Sequence, residues 1–260
     1  MKVGNGIFKS FLDWLFDSPV VTAFQRLSGY AQMVDGYTYD GVRVVRDGVV
    51  SLFFIDLGSG DLALVDAGYD TTGKAIKKEL DRRGAGLDAV KAILLTHGHI
   101  DHIGAVNNFP NAQVMVLGDD VDLAEGRARS RGFLSRLLPP NPTGIKVSRS
   151  LKDGAVFPLG NRWVRAYSIP GHTPGSAAFL IDDMLFVGDS AFAAKDGRMV
   201  QASWPFTDSI KASRRSVANL ARRLECDGVS VKTIFFSHSS PLEKGLAPLL
   251  KFAEKNGGKS

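Results

Sequence analysis

Short apolar runs separated by Gly- and Asp-rich turns fill most of the chain after residue 42, and this pattern predicts a series of strands. The first group of runs comprises VRVV, VVSLFFID, LALVD, AILLT and VMVL. The second group comprises AVFPL, WVRAYSI, AAFLI and MLFV, with TIFFS closer to the end of the chain. Since each group is accompanied by helical patterns, we expect an α/β protein with two sheets packed together and helices outside.

Apolar residues at helical spacing predict four helices, over residues 7–16, 72–83, 209–224 and 241–254. The first lies in an N-terminal extension, residues 1–40, and residues 41–260 are expected to form one domain. The 7–16 helix has a strongly aromatic face, which we interpret as docking on the domain's own surface. Peripheral membrane contact, a substrate lid and a dimer contact are the alternatives that the pattern leaves open.

Composition narrows the class of protein. The 260 residues are 44% hydrophobic and 23% charged, which is typical of a globular chain. Cys226 is the only cysteine, so an intrachain disulfide and a cysteine-based structural zinc site are both excluded. No segment approaches the roughly 20 apolar residues of a membrane span, and charged residues interrupt any signal-peptide core, so we expect a cytoplasmic protein.

The charge of the chain is mildly basic, with 32 basic and 27 acidic residues and a net charge of +5. Residues 126–152 hold seven of the basic residues and no acidic one, namely Arg127, Arg129, Arg131, Arg136, Lys146, Arg149 and Lys152. A solvated loop face is the favoured interpretation of this basic segment, and contact with phosphates is the alternative. We expect a small-molecule substrate, for which a negative charge is one option, while nucleic acid is the less favoured partner.

The placement of the histidines carries the strongest chemical signal. His97, His99, Asp101 and His102 lie within six positions, directly after the predicted strand AILLT. A tight turn after a strand lets His97 and His99 converge on one metal ion, while Asp101 and His102 point toward a second ion. Imidazole and carboxylate are ligands that suit zinc, iron or manganese.

The two remaining histidines and one further aspartate also follow predicted strands. His172 lies in PGHTPGS, Asp189 lies in VGDS after MLFV, and His238 comes directly after TIFFS. Loops at the ends of strands gather into a cleft, so these side chains are placed to join the same site. One predicted site then accounts for all five histidines of the chain.

Together, the segments HGHIDH, PGHTPGS and VGDS, the late histidine and LVDAG resemble the metallo-β-lactamase-fold hydrolase superfamily, over about residues 42–250. The resemblance implies that residues 41–260 are a catalytic domain, a four-layer αβ/βα sandwich of two mixed sheets with helices outside. It also implies a dinuclear metal site, in which Asp66 steadies the ligand loop. By position, the implied ligands are His97, His99 and His172 for the first ion, Asp101, His102 and His238 for the second, and Asp189 as the bridge.

The resemblance implies two divalent metal ions as cofactors, with zinc favoured and iron or manganese as alternatives. Two ions that share Asp189 would also share a water, lower its pKa and so supply a bridging hydroxide that attacks the substrate. Asp101 is the expected catalytic residue, as the proton acceptor near that nucleophile.

The order PGHTPGS followed by GDS resembles the glyoxalase II and thioesterase-like branch of the superfamily. We therefore expect cleavage of an ester, thioester or lactone. Two alternatives stay open at this point: a phosphodiesterase or ribonuclease of the same fold, and an iron-dependent member that is not a hydrolase.

Overall fold

The computed structural model describes residues 29–133, 143–202 and 204–256 of the chain. The predicted helix at residues 7–16 and the middle of the basic segment, residues 134–142, lie outside the described residues. The division into an N-terminal extension, residues 1–40, and a domain over 41–260 stays a prediction. Among the described residues, no helix combines the length and apolarity that crossing a membrane requires.

The first half of the described chain forms a seven-stranded mixed sheet whose strands follow one another in chain order. β1 to β4 pair antiparallel, and β4 to β7 pair parallel. The strands are β1 (Thr38–Tyr39), β2 (Val42–Asp47), β3 (Val50–Asp56), β4 (Leu62–Val65), β5 (Val90–Leu94), β6 (Gln113–Leu117) and β7 (Arg149–Leu151).

The second half forms a five-stranded mixed sheet of order β14-β11-β10-β9-β8 and a separate two-stranded hairpin of β12 and β13. Only the β11 and β14 pair in this second sheet is parallel. The strands are β8 (Val156–Leu159), β9 (Arg162–Ser168), β10 (Ala177–Ile181), β11 (Met184–Phe186), β12 (Ala191–Ala193), β13 (Met199–Gln201) and β14 (Thr233–Phe235).

Helices cover the outer faces of the two sheets. The α-helices are α1 (Lys74–Arg83), α2 (Ile100–Ile103), α3 (Val121–Ala124), α4 (Ile210–Cys226) and α5 (Ala247–Asn256). Short 3-10 helices lie at Leu87–Ala89, Val106–Asn108, Gly118–Asp120 and Trp204–Phe206. α4 begins after Ser209, whose side chain accepts a hydrogen bond from the Ala212 N–H at 3.3 Å and so satisfies one free N–H of the first turn.

Alternation along the strands produces the layers. In β3, Phe53 and Ile55 pack between the two sheets, whereas Leu52 and Phe54 pack under the helices beside the first sheet. A third apolar cluster joins the outer face of the second sheet to α4 and α5. The predicted four-layer αβ/βα sandwich of two mixed sheets is confirmed.

One local prediction was wrong, and one element was not predicted. The last helix begins at Ala247 rather than near residue 241, because Leu242 pairs with Ile234 in an isolated β-bridge and Gly245 adopts a positive φ. The hairpin of β12 and β13 was not predicted, since its three-residue strands are too short to show a period.

Candidate metal centre

The loops that carry the candidate residues leave the two sheets at one edge of the sandwich. Asp66 directly follows β4, and the segment with His97 and His99 follows β5. In the second sheet, Asp189 follows β11 and His238 follows β14. Each of these two strand pairs is parallel, so their carboxyl ends lie at the same edge, and the sandwich brings the edges of both sheets together.

Three imidazoles form the first cluster. The Nε2 atom of His97 lies 3.1 Å from Nδ1 of His99 and 3.1 Å from Nε2 of His172. The third separation, between Nε2 of His172 and Nδ1 of His99, is 3.0 Å. Three ring nitrogens thus converge on one point, and we call this group the three-histidine cluster.

The second cluster combines two imidazoles with two carboxylates. Its members are Asp101, His102, Asp189 and His238, and one ligand-type atom from each lies within 4.8 Å of the others. Nε2 of His238 is 3.1 Å from Asp189 Oδ2 and 3.4 Å from Asp101 Oδ2. Nε2 of His102 is 3.4 Å from Asp189 Oδ1. We call this group the mixed cluster.

Asp189 connects the two clusters. Its Oδ2 atom, which faces His238 in the mixed cluster, is also 3.6 Å from Nε2 of His172 in the three-histidine cluster. All seven residues that the sequence pattern singled out as ligands are therefore brought together, with Asp189 between the two groups.

The other ring nitrogen of each histidine has a separate partner. In the three-histidine cluster these partners are hydroxyl groups: Thr96 for His97 at 3.1 Å, Ser130 for His99 at 2.9 Å and Thr207 for His172 at 3.0 Å. In the mixed cluster they are an Asp66 carboxylate oxygen for His102 at 2.8 Å and the Val49 carbonyl for His238 at 2.6 Å. Such outer hydrogen bonds orient the rings and fix their tautomers.

Electrostatics differ between the clusters. Burial, followed by the neighbouring histidines, lowers the pKa of His97 well below its usual range. Burial and His99 likewise lower the pKa of His172 to about 3. The imidazoles of His97 and His172 are therefore neutral at pH 7, which is the protonation state in which a ring nitrogen can bind a metal ion.

In the mixed cluster the neighbouring carboxylates have the larger effect on the pKa values of the histidines. Burial would lower the pKa of His102 and His238, but nearby carboxylates outweigh it and raise the pKa of His238 to about 10 and that of His102 well above its usual range. Burial opposes ionisation of Asp101 and Asp189, yet the two histidines hold the pKa of both carboxyls well below the usual range. The cluster thus favours positive charge at its imidazole nitrogens, and a bound cation would supply that charge in place of protons.

Two buried polar atoms support a cation at this point. Nε2 of His102 and Oδ1 of Asp189 are buried, and neither has a hydrogen-bond partner among the residues that the structure describes. An unpaired buried polar atom is costly, and these two face each other at 3.4 Å beside other ligand-type atoms. Imidazole nitrogen and carboxylate oxygen are donors that divalent transition metals accept, so the residues fit the implied metal ions.

Asp120 is a buried carboxylate that the sequence analysis missed. It accepts hydrogen bonds from the Gly98 N–H at 2.8 Å, the Gly175 N–H at 2.7 Å and the Thr173 hydroxyl at 2.7 Å. Gly98 lies between His97 and His99, while Thr173 and Gly175 follow His172 in the same turn. One carboxylate thus joins the two loops that form the three-histidine cluster.

The position of Asp120, three residues after β6, is a signal that could have identified it, because β6 pairs parallel with β5 and ends at the same edge. Nothing comparable marks Ser130 or Thr207, which lie in irregular segments far from the ligands in sequence.

A close backbone approach holds the Asp189 loop against the first sheet. Gly188 has a φ of 55°, and a Cβ atom added there would lie 2.6 Å from the Thr96 hydroxyl oxygen. Thr96 in turn donates to Asp66 Oδ2 at 2.8 Å. A residue with a side chain at 188 would therefore disturb the contact that orients His97 and, through Asp66, His102.

Comparison with known proteins agrees with this geometry. The sequence model described as "Metallo-beta-lactamase superfamily" matches residues 45–238. A hydroxyacylglutathione hydrolase of Shewanella sp. (strain ANA-3) is 34% identical over 115 residues, which are 44% of this chain and 40% of that protein. The probable metallo-hydrolase YflN of Bacillus subtilis (strain 168) is 27% identical over 78% of this chain and 85% of its own length. Both relatives are named hydrolases, in agreement with the predicted enzyme class.

Solved structures share the fold. The subclass B3 metallo-beta-lactamase BJP-1 of Bradyrhizobium japonicum superposes with a TM-score of 0.63 at 20% identity, covering 88% of this chain and 93% of that one. This likeness concerns the fold alone, since the identity is low. The family match spans most of the chain and includes every loop that carries the two clusters. The chain therefore belongs to the metallo-beta-lactamase superfamily.

Proposed function

We propose that this protein is a dinuclear metal-dependent hydrolase that cleaves an ester, thioester or lactone. The observation that carries the proposal is the position of Asp189, whose Oδ2 lies 3.1 Å from His238 in the mixed cluster and 3.6 Å from His172 in the three-histidine cluster. A carboxylate between two sets of ligand-type atoms is suited to bridge a pair of ions. His97, His99 and His172 would hold one ion, and Asp101, His102 and His238 the other.

When bound, two divalent ions, of which zinc is favoured, would lower the pKa of a shared water and polarise the carbonyl of the substrate. The residues of the chain would hold the two ions in position and supply the proton acceptor. Asp101 is ionised at neutral pH, because His102 and His238 hold its pKa well below the usual range. The ionised carboxylate is the form that can accept a proton from the attacking water, and we assign Asp101 the catalytic role.

Similarity supports a thioester as the first substrate class to test. Several relatives with 29–34% identity are named hydroxyacylglutathione hydrolase. Three of them are 34%, 34% and 29% identical over 115, 164 and 153 residues. The chain spans only 40–55% of the length of these three proteins. The proposed thioester substrate therefore rests on similarity to only part of those proteins. Esters and lactones have the same carbonyl centre and stay within the proposal.

The basic segment, residues 126–152, gives less support to a phosphodiester substrate than the similarity to named hydrolases gives to a thioester. Within the described part of residues 126–152, Arg127 forms ion pairs with Asp122 and Glu125, which lie just before the segment. Part of its positive charge is thus neutralised by the protein itself. A solvated loop face remains the favoured interpretation, and phosphodiester cleavage is an outcome of the test below.

The test is a substrate panel with zinc, manganese or iron supplied to the protein: thioesters that include an acylated glutathione, lactones, aryl esters, a β-lactam and bis-p-nitrophenyl phosphate. We expect the highest kcat/KM on a thioester, ester or lactone. Asp189→Asn should lower that value on the order of a hundredfold or more. Asp182→Asn, in the turn between β10 and β11 at the opposite edge of the sheet, is the matched control and should leave it unchanged.

A dominant phosphodiesterase rate would replace the proposed substrate class. Activity that survives Asp189→Asn unchanged would overturn the bridging role, whatever the substrate.

A further inference from the structure

A carboxylate outside both clusters reaches a ring of the three-histidine cluster through a hydroxyl group. Oδ1 of Asp208 lies 3.2 Å from the Ser130 hydroxyl oxygen, which donates to it. The same hydroxyl oxygen lies 2.9 Å from Nε2 of His99. Since the hydroxyl proton is directed at the carboxylate, a lone pair of the Ser130 hydroxyl oxygen is free to accept a hydrogen bond from the His99 ring N–H.

The same arrangement occurs at a second histidine of this cluster. The Thr96 hydroxyl donates to Asp66 Oδ2 at 2.8 Å and lies 3.1 Å from Nδ1 of His97. Two of the three imidazoles therefore each have a hydroxyl behind them and a carboxylate behind that hydroxyl. Asp66 comes from the loop after β4, whereas Asp208 and Ser130 come from two segments that are 78 residues apart in sequence.

Asp208 is itself held in place by two backbone contacts. Its N–H donates to the His172 carbonyl at 3.0 Å, and its Oδ1 accepts from the Arg131 N–H at 2.7 Å. Close packing fixes the junction between the two segments, since a Cβ atom on Gly132 would lie 2.8 Å from the Phe206 carbonyl carbon. The carboxylate therefore has a defined position relative to both His99 and His172.

We propose that Asp208, acting through Ser130, is a positioning residue for His99. The pair keeps the proton of the neutral ring on Nε2, so that the lone pair of Nδ1 points into the three-histidine cluster. The inference rests on the proposed metal centre, and its consequence is confined to the ion held by His97, His99 and His172. Loss of such an outer hydrogen bond typically weakens metal binding 10- to 100-fold.

The test measures metal binding rather than turnover. Zinc-loaded protein is titrated with a chromophoric chelator, and the two dissociation constants are compared among the wild type, Asp208→Ala, Asp208→Asn, Ser130→Ala and Ser130→Thr. His97→Ala marks which of the two constants belongs to the three-histidine cluster. Asp196→Ala is the matched control. Asp196 likewise accepts a hydrogen bond from a nearby backbone N–H, and it lies in the β12–β13 turn, where its side chain also pairs with Arg198.

We expect Asp208→Ala and Ser130→Ala each to weaken the three-histidine ion by about 10- to 100-fold and the other ion by less than twofold. A protein that combines Asp208→Ala with Ser130→Ala, measured in the same way, should bind the three-histidine ion no more weakly than the worse of the two single variants, because both residues act through one hydrogen-bonded chain. Ser130→Thr and Asp208→Asn keep a hydroxyl and a carbonyl oxygen in place, so both should stay within a few-fold of wild type. Asp196→Ala should change neither constant.

Unchanged binding of both ions in the two alanine variants would overturn the inference. So would equal weakening of both ions together with a lower melting temperature of the metal-free protein, since that pattern indicates a purely structural role. The result is separable from the proposed function. Selective loss of one ion in a protein that hydrolyses no substrate would retain the inference and refute the hydrolase. Hydrolysis by a protein in which neither alanine variant weakens either ion would retain the hydrolase and refute the inference.

Discussion

At the scale of single residues, the candidate metal centre depends on how the two nitrogens of each imidazole are used. One nitrogen faces a cluster, and the other is held by a hydroxyl, a carboxylate or a carbonyl oxygen. Asp66 serves both clusters, because it contacts His102 directly and His97 through Thr96. Its φ of 61° is unusual for a residue with a side chain, which indicates that its surroundings hold it in this strained conformation.

Asp120 provides a test at this scale. In Asp120→Asn an amide NH₂ replaces one oxygen that accepts hydrogen bonds, so a donor would face the Gly98 or Gly175 N–H in a fully buried position. Leaving a buried donor unsatisfied costs about 1–3 kcal/mol. We expect the free energy of unfolding of the metal-free protein, measured by urea denaturation, to fall by that amount.

The neighbouring residue supplies the control for this measurement. Asp119 is exposed, and Asp119→Asn should change the free energy of unfolding by less than about 0.5 kcal/mol. Equal effects of the two substitutions would contradict the role that we give to Asp120 in joining the ligand loops.

At the scale of elements, the strands position the ligand-type residues, and the helices pack against the sheets. α1 is tied to the first sheet by Glu79, whose side chain is 5% exposed and pairs with Arg43 of β2 as well as with Arg82 and Arg83 of its own helix. Burial would raise the pKa of Glu79, but hydrogen bonds from the three arginines outweigh burial and lower the pKa from 4.5 to about 2. Folding therefore favours the ionised carboxylate.

This shift gives a pH dependence with a definite sign. Because the pKa is lower in the folded state, the contribution of Glu79 to stability is complete above about pH 4.5 and is lost as the pH falls toward 2. We expect Glu79→Gln to lower the free energy of unfolding by about 1–3 kcal/mol at pH 7 and by roughly half as much at pH 3. Urea denaturation at a series of pH values measures the difference.

Glu254→Gln, on the exposed side of α5, is the control and should have little effect at either pH. A difference between wild type and Glu79→Gln that stays constant from pH 7 to pH 3 would show that the charge on Glu79 contributes nothing to holding α1 on the sheet.

Elements also show how far the sequence could predict the structure. Apolar runs such as VVSLFFID identified the long buried strands, and dense motifs such as HGHIDH identified the ligand-type residues that the structure brings together. Short elements such as the β12–β13 hairpin were missed, because three residues show no periodicity. Ser130, Thr207 and Asp208 were missed as partners of the histidines, because contacts between distant irregular segments leave no local pattern in the sequence.

At the scale of the whole molecule, neither sheet holds a complete site. The first sheet supplies His97, His99, Asp101 and His102, and the second supplies His172, Asp189 and His238. The apolar layer between the sheets aligns these two sets, with Phe53 of the first sheet against Phe186 and Phe235 of the second at ring-centroid distances of 5.2 and 5.4 Å. The geometry of the candidate metal centre is therefore a property of the sandwich rather than of one motif.

The proposed dinuclear hydrolase activity is tested most directly by adding Zn²⁺ in small steps to the metal-free protein while thioester hydrolysis is followed. Because Asp189 lies between two complete sets of ligand-type atoms, we predict that turnover rises until about two equivalents of Zn²⁺ are bound and is constant beyond that point. Full turnover at one bound equivalent, or two bound ions with no hydrolysis of any thioester, ester or lactone, would contradict the account.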